Sequence, residues 1–185
     1  MAEALVIAIV GAESTGKTAL AQALAQRLAS LTHQRCTWVG EWLRQWCDDQ
    51  GRTPQAHEQA AIARTQQAHI DAAAATHDIV VADTTPLMTA VYSALLFKDD
   101  SLLPYAVQQQ RGYALTLLTA LDLPWVADGL QRDGPQVRAP VDARVRAALA
   151  GAGLGYSLVA GLHDQRLQSA LDAVLPRLRR GGGAG

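Results

Sequence analysis

Gly11-Ala12-Glu13-Ser14-Thr15-Gly16-Lys17-Thr18 is the stretch whose reading decides the fold. It satisfies the spacing G-x-x-x-x-G-K-[ST], and its setting matters as much as its letters. Before it, Leu5 to Val10 is a short, continuously apolar, β-rich run, the pattern of a strand buried on both faces. After it, Lys17 to about Ser30 places Ala19, Leu20, Leu24 and Leu28 at helical spacing. A glycine-rich turn between such a strand and such a helix points backbone N–H groups and the positive end of a helix dipole at one place, which suits a chain of phosphates. On this reading Gly11, Glu13, Ser14, Thr15, Gly16, Lys17, Thr18 and Ala19 surround the triphosphate of a nucleotide. Lys17 then bridges the β- and γ-phosphates, and Thr18 offers a hydroxyl to Mg²⁺.

Outward from the loop, strand-like and helix-like runs alternate. Cys36 to Val39 reads as a second strand and Glu41 to Asp49 as a helix. Thr53-Pro54 has the grammar of a cap followed by a first-turn proline, opening a helix that runs to about Ala75. Asp78 to Asp83 is a third buried strand, Leu87 to Phe97 and Leu103 to about Gly112 are helical, and Leu115 to Leu121 is a fourth strand. Asp128 to Pro140, with two glycines and two prolines among Arg132, Asp133 and Arg138, reads as a charged loop able to close as a lid. Val141 to Ala150 is then a helix, Tyr156 to Val159 a fifth strand, and His163 to about Leu178 a closing helix. The alternation predicts an α/β fold: three layers, α/β/α, around a mostly parallel five-stranded sheet of the P-loop type, with the ligand crevice at the carboxyl ends of the strands.

The chain has 185 residues, which fits a single domain over 1–180 followed by a flexible Gly-rich tail at 181–185. Its formal charge of −1 leaves no basic surface for nucleic acid, so a small-molecule partner is expected. The apolar run from Ala4 to Val10 is too short for a membrane span or a signal peptide, and a cytoplasmic protein is expected. Cys36 and Cys47 have no metal-binding spacing and read as ordinary reduced thiols.

A phosphate loop serves kinases, GTPase switches and mechanical ATPases alike. The sequence lacks the Asn-Lys-x-Asp run of a guanine reader, and its third strand ends Asp83-Thr84 without the adjacent acids of a water-activating ATPase. A kinase needs a base for the acceptor hydroxyl, cations near the transferred group and a closing loop. Glu41 and Asp83 are candidates for base and metal anchor, in roles that residue type alone leaves interchangeable. Arg44, three residues after Glu41, shares its helical face and could clamp a phosphate or the acceptor. Arg132 and Arg138 are candidates to neutralise charge on closure, Thr84 lies beside Asp83, and Trp42, Tyr92 and Trp125 could stack on a flat or cationic acceptor. A nucleotide-dependent switch with slow hydrolysis remains the alternative from another class.

The loop together with Glu41-Trp42-Leu43-Arg44, Asp83-Thr84 and Pro124-Trp125-Val126-Ala127-Asp128-Gly129-Leu130, in that order, resembles NadR-type ribosylnicotinamide kinase domains over most of the chain. The resemblance implies an enzyme that uses ATP and Mg²⁺ to phosphorylate the 5′-hydroxyl of nicotinamide riboside, giving nicotinamide mononucleotide for NAD salvage. It implies that Asp128 belongs to the acceptor site and that the arginine-bearing segment after it forms the lid. Gln131 stands where that family usually has arginine, with Arg132 one place later. Full-length regulators of the family carry an adenylyltransferase domain as well, so this chain is expected to be a stand-alone kinase. By analogy with nucleotide kinases, Gly161 and Arg166 after strand five are expected near the adenine. A kinase for another nucleoside or nucleotide, such as a deoxynucleoside, is the nearest rival.

Overall fold

In the computed structural model, the described residues are 3–127 and 134–181. Five strands, β1 (Leu5–Val10), β2 (Cys36–Val39), β3 (Ile79–Asp83), β4 (Leu115–Thr119) and β5 (Ser157–Val159), form one sheet in the order β2-β3-β1-β4-β5. Every pairing in it is parallel. Seven α-helices accompany them among the described residues: α1 (Lys17–Thr32), α2 (Trp42–Gln50), α3 (Gln59–Ala74), α4 (Pro86–Phe97), α5 (Leu103–Arg111), α6 (Arg138–Gly151) and α7 (Asp164–Gly181). This is the three-layer P-loop arrangement expected from the sequence.

The period-two geometry of a strand divides β1 between two cores. Ile7 and Ile9 face Leu20, Leu24 and Leu28 of α1 and Leu171 and Val174 of α7. On the opposite side Val10 packs with Leu87 and Val91 of α4 and with Val145 and Leu149 of α6, while Val6 joins Ile70 of α3. With both faces covered, β1, β3 and β4 can be apolar almost throughout, which is why they read as continuous runs. The chain order reverses at β1, which has β3 on one side and β4 on the other. The crevice beyond its carboxyl end is therefore where the phosphate loop sits.

Several boundaries differ from expectation for local reasons. Glu41 is extended and only caps α2, which begins at Trp42. The helix expected from Thr53-Pro54 begins at Gln59, after a 3₁₀ turn at Ala56–Glu58. Glu58 accounts for the shift: its carboxylate accepts the Gln55 N–H at 2.8 Å and bonds from the two terminal nitrogens of the Arg52 guanidinium, a reciprocal cap placed further on. β4 stops at Thr119 instead of continuing to Leu121. The loop expected through Pro140 ends earlier, because Pro140 is third in α6, where a missing N–H costs no helical bond. Of the tail expected at 181–185, Gly181 is the last residue of α7, and 182–185 lie outside the described residues.

At the amino-terminal end of the sheet, Asp78 accepts the Arg35 backbone N–H at 3.0 Å and its guanidinium at 2.6 and 3.1 Å, joining the starts of β2 and β3. These bonds hold the Asp78 carboxyl down at about 2. A depressed folded value contributes stability that is present above the ordinary 3.8 and lost as pH falls toward about 2. Asp78→Asn is therefore expected to lower the melting temperature modestly at neutral pH, with the gap to wild type closing over that acid range in a series of thermal melts.

Candidate active site

Gly16 caps α1 in the left-handed region (φ 75°, ψ 24°), a conformation that opens the turn only for a residue without a side chain. A Cβ there would come within 3.1 Å of Leu123 and 3.7 Å of Arg166, so the loop is also closed from behind. Ser14 has a positive φ of 53° and projects its hydroxyl to the Val126 carbonyl at 2.6 Å. The Val126 N–H returns a bond to the same oxygen at 3.2 Å. Arg138 donates to the Leu123 carbonyl at 2.8 Å and to the Ser14 carbonyl at 3.5 Å. The 123–127 segment is thereby strapped alongside the loop.

Inside the turn, Lys17 donates to the Ala12 carbonyl at 2.7 Å. Burial pushes its pKa down and the Arg44 charge adds to this, while Glu41, Asp83 and Glu13 oppose them. At the foot of α1, Thr18 donates to Asp83 Oδ2 at 2.5 Å. Asp83 is only 1% exposed, at the end of β3 beside Ile9. Burial raises its pKa against the pull of the Thr18 hydroxyl, Lys17 and Arg44. Its Oδ1 is buried without a hydrogen-bond partner among the described residues. A hydroxyl and a carboxylate with one spare oxygen suit a hard cation that takes its other oxygens from phosphate and water, as Mg²⁺ does. No trio of His, Cys, Asp or Glu able to hold a metal by itself occurs among the described residues.

Two clefts open on this centre. One is lined by Gly11, Glu13, Thr84, Met88 and Tyr92, the other by Thr15 to Ala19 with Leu123, Pro124 and Ala127. Ser14, Lys17, Glu41, Arg44 and Val126 line both. Glu41 and Arg44 form the pair that their spacing predicts, at 3.8 Å, with the Glu41 side chain nearly enclosed and that of Arg44 half exposed. Thr84 is held at φ 68°, a costly conformation for a β-branched residue, directly beneath the first cleft.

Other candidates stand elsewhere. Trp42 turns toward α3: its backbone N–H donates to Gln66 Oε1 at 2.7 Å and its ring meets His69 edge-on with centroids 5.2 Å apart. Trp125 is half-buried and lines neither cleft, and its buried Nε1 has no hydrogen-bond partner among the described residues. Arg138 was expected in the lid loop; it is instead a buried helical residue committed to carbonyls. Asp128 and Arg132 lie outside the described residues. Arg166, 4% exposed, donates to the Val159 carbonyl at 3.0 Å, the Ala120 carbonyl at 3.2 Å and Asp122 Oδ1 at 2.9 Å, bracing the ends of β4 and β5 behind Gly16. Asp122 also accepts the Gly161 N–H at 2.6 Å. Burial pushes the Asp122 carboxyl up, but that N–H and Arg166 outweigh it and hold the carboxyl below its usual range.

Sequence reasoning missed Met88 and the Leu123–Asp122 corner. Met88 could have been found one helical turn before Tyr92, whereas Asp122 had no local signal.

No curated protein matches this chain in sequence. Among solved structures, it is similar to the NadR protein in complex with NAD and AMP-PNP, with a TM-score of 0.73 and 22% identity over 94% of this chain and 49% of that one. It is similar to the NadR protein in complex with NR at a TM-score of 0.71 and 21% identity, over 94% of this chain and 50% of that one. A thymidylate kinase from Ehrlichia chaffeensis matches with a TM-score of 0.61 and 14% identity, over 95% of this chain and 99% of the other. The chain thus spans about half the length of the NadR chains. At these identities the likeness carries the fold. The family profile of the AAA domain covers residues 6–166, from β1 through the phosphate loop to Arg166, and the chain belongs to that family.

Proposed function

We propose that the chain is a kinase that transfers the γ-phosphoryl group of ATP to the 5′-hydroxyl of nicotinamide riboside, giving nicotinamide mononucleotide. The observation that carries this reading is the meeting of two clefts at Lys17 and Glu41. One follows the phosphate loop into α1 and suits a triphosphate. The other, with Glu13, Met88 and Tyr92 around it, has the mixed apolar, aromatic and acidic lining that suits a cationic ring on a sugar. The motifs shared with NadR-type domains support the same acceptor, as does the likeness to a NadR structure holding NR.

In this mechanism the loop N–H groups and Lys17 bind the β- and γ-phosphates. Thr18 and Asp83 would hold Mg²⁺, which would offset charge on the phosphate oxygens. Glu41 is the residue assigned to accept the 5′-hydroxyl proton, because it lines both clefts while Asp83 is buried and committed to Thr18. Arg44, 3.8 Å from Glu41 and lining both clefts with it, is the cation assigned to the transferred group. Asp128 and Arg132 keep the acceptor and lid roles that the resemblance implies. No described helix is long and apolar enough to cross a membrane, and a cytoplasmic enzyme fits the use of ATP.

An acceptor panel tests the assignment: initial rates with ATP and Mg²⁺ against nicotinamide riboside, pyrimidine and purine nucleosides, and their monophosphates. Nicotinamide riboside is expected to give the highest kcat/KM, by at least about tenfold, a difference of about 1.4 kcal/mol in transition-state binding. Preference for a deoxynucleoside or a monophosphate would overturn the acceptor while leaving the reaction class.

A further inference from the structure

Behind the phosphate loop lies a hydroxyl pair that the mechanism above does not use. Thr119 ends β4, one residue beyond the Val10↔Leu118 pairing with β1, and is fully buried. Its Oγ1 is 2.7 Å from Oγ1 of Thr15 and 3.3 Å from the Val10 carbonyl oxygen. Thr15, equally buried, donates to the Ala12 carbonyl at 2.7 Å, and that carbonyl also accepts from Lys17 at 2.7 Å. Gly11 turns at φ 152°, and a Cβ built on it would lie 2.0 Å from Thr119 Oγ1. Thr119 therefore fills the space that a side chain at position 11 would need, at the point where the loop leaves β1.

The protons can be counted. Two hydroxyls carry two protons, while three oxygens lie within reach: the Ala12 carbonyl, the Val10 carbonyl and the partner hydroxyl. With Thr15 donating to Ala12, two hydroxyl oxygens 2.7 Å apart need the Thr119 proton between them, so it goes to Thr15 in preference to the Val10 carbonyl at 3.3 Å and fixes the Thr15 rotamer. The Ala12 carbonyl, in a residue with no exposed surface, then has two donors. Lys17 can direct its ammonium to phosphate without stranding that carbonyl, because Thr15 still satisfies it.

We propose that Thr119 is a positioning residue for triphosphate binding: through Thr15 and Gly11 it holds the Ala12 carbonyl and the curvature of the loop, leaving Lys17 free for the phosphates. This rests on the triphosphate-binding reading of the loop and is independent of which acceptor is used. Thr119→Val, which keeps the shape and removes the hydroxyl, is expected to raise the Kd for ATP and Mg²⁺ by about fivefold, the equivalent of one net hydrogen bond at about 1 kcal/mol. The KM for the acceptor should stay within about twofold, and Thr119→Ser should restore ATP affinity to within about twofold of wild type. Thr119→Ala, which removes the hydroxyl without setting a methyl group beside Gly11, gives the same readout if the valine variant fails to fold.

Calorimetric titration with ATP and Mg²⁺ measures the affinities, and steady-state rates give the split between the two substrates. Unchanged ATP affinity in both hydroxyl-less variants overturns the proposal, as does a serine variant as weak as they are, or an equal rise in both KM values. Wild type that fails to bind ATP removes the triphosphate reading and this one with it. Wild type that binds ATP but transfers to no acceptor overturns the kinase reading alone.

Discussion

Lys17→Ala is expected to lower turnover at saturating ATP by about 10³, the scale on which one preorganised electrostatic contact to a developing charge acts in a water-poor site. Lys17 stands where the two clefts meet, and three carboxylates, Glu41, Asp83 and Glu13, oppose the burial that pushes its pKa down. Alanine would leave those carboxylates facing the phosphates unopposed, so ATP affinity should fall as well. Initial rates of ADP formation over a range of ATP concentrations measure both effects. Turnover within tenfold of wild type would mean that the phosphoryl group is transferred somewhere other than at this loop.

The second large effect belongs to the carboxylates. Asp83→Asn keeps an oxygen to accept the Thr18 hydroxyl but removes the charge, and Glu41→Gln does the same at the meeting of the clefts. Each should lower kcat by about 10² to 10³ while changing the Kd for ATP by less than about threefold, because the loop amides and Lys17 remain. Folding supplies an independent control for Asp83. A carboxyl whose folded pKa is raised favours its neutral form in the native state, so its ionised form costs stability above the folded value, and that cost fades as pH falls toward the ordinary 3.8. In the absence of metal and nucleotide, Asp83→Asn should therefore melt no lower than wild type at mildly alkaline pH, with the difference closing in acid. Loss of turnover together with a higher melting temperature would separate the chemical role of the carboxylate from a structural one. A large drop in ATP affinity with kcat preserved would contradict the assignment.

What could be read from the sequence was local. β1, the phosphate loop and α1 are contiguous, and one apolar run, two glycines and a helical stripe specify them without help from the rest of the chain. Glu41 and Arg44 were legible because a spacing of three brings the cap position of α2 beside its first turn. Trp42 was legible only in part: its place at the start of α2 follows from the sequence, but not that its ring turns to His69 of α3 instead of to the clefts. Pro140 misdirected the loop boundary because proline breaks a helix everywhere except its first turn. The contacts between Asp122 and Arg166 and between Thr15 and Thr119 join residues 44 and 104 positions apart, and only the sheet order brings them together.

Stoichiometry of transfer tests the central claim most directly. With ATP, Mg²⁺ and nicotinamide riboside, ³¹P NMR should show one phosphate ester on the 5′ carbon of the riboside for each ADP formed, with little ADP when the riboside is withheld. ADP accumulating at the same rate without acceptor, matched by inorganic phosphate and no ester, would contradict it.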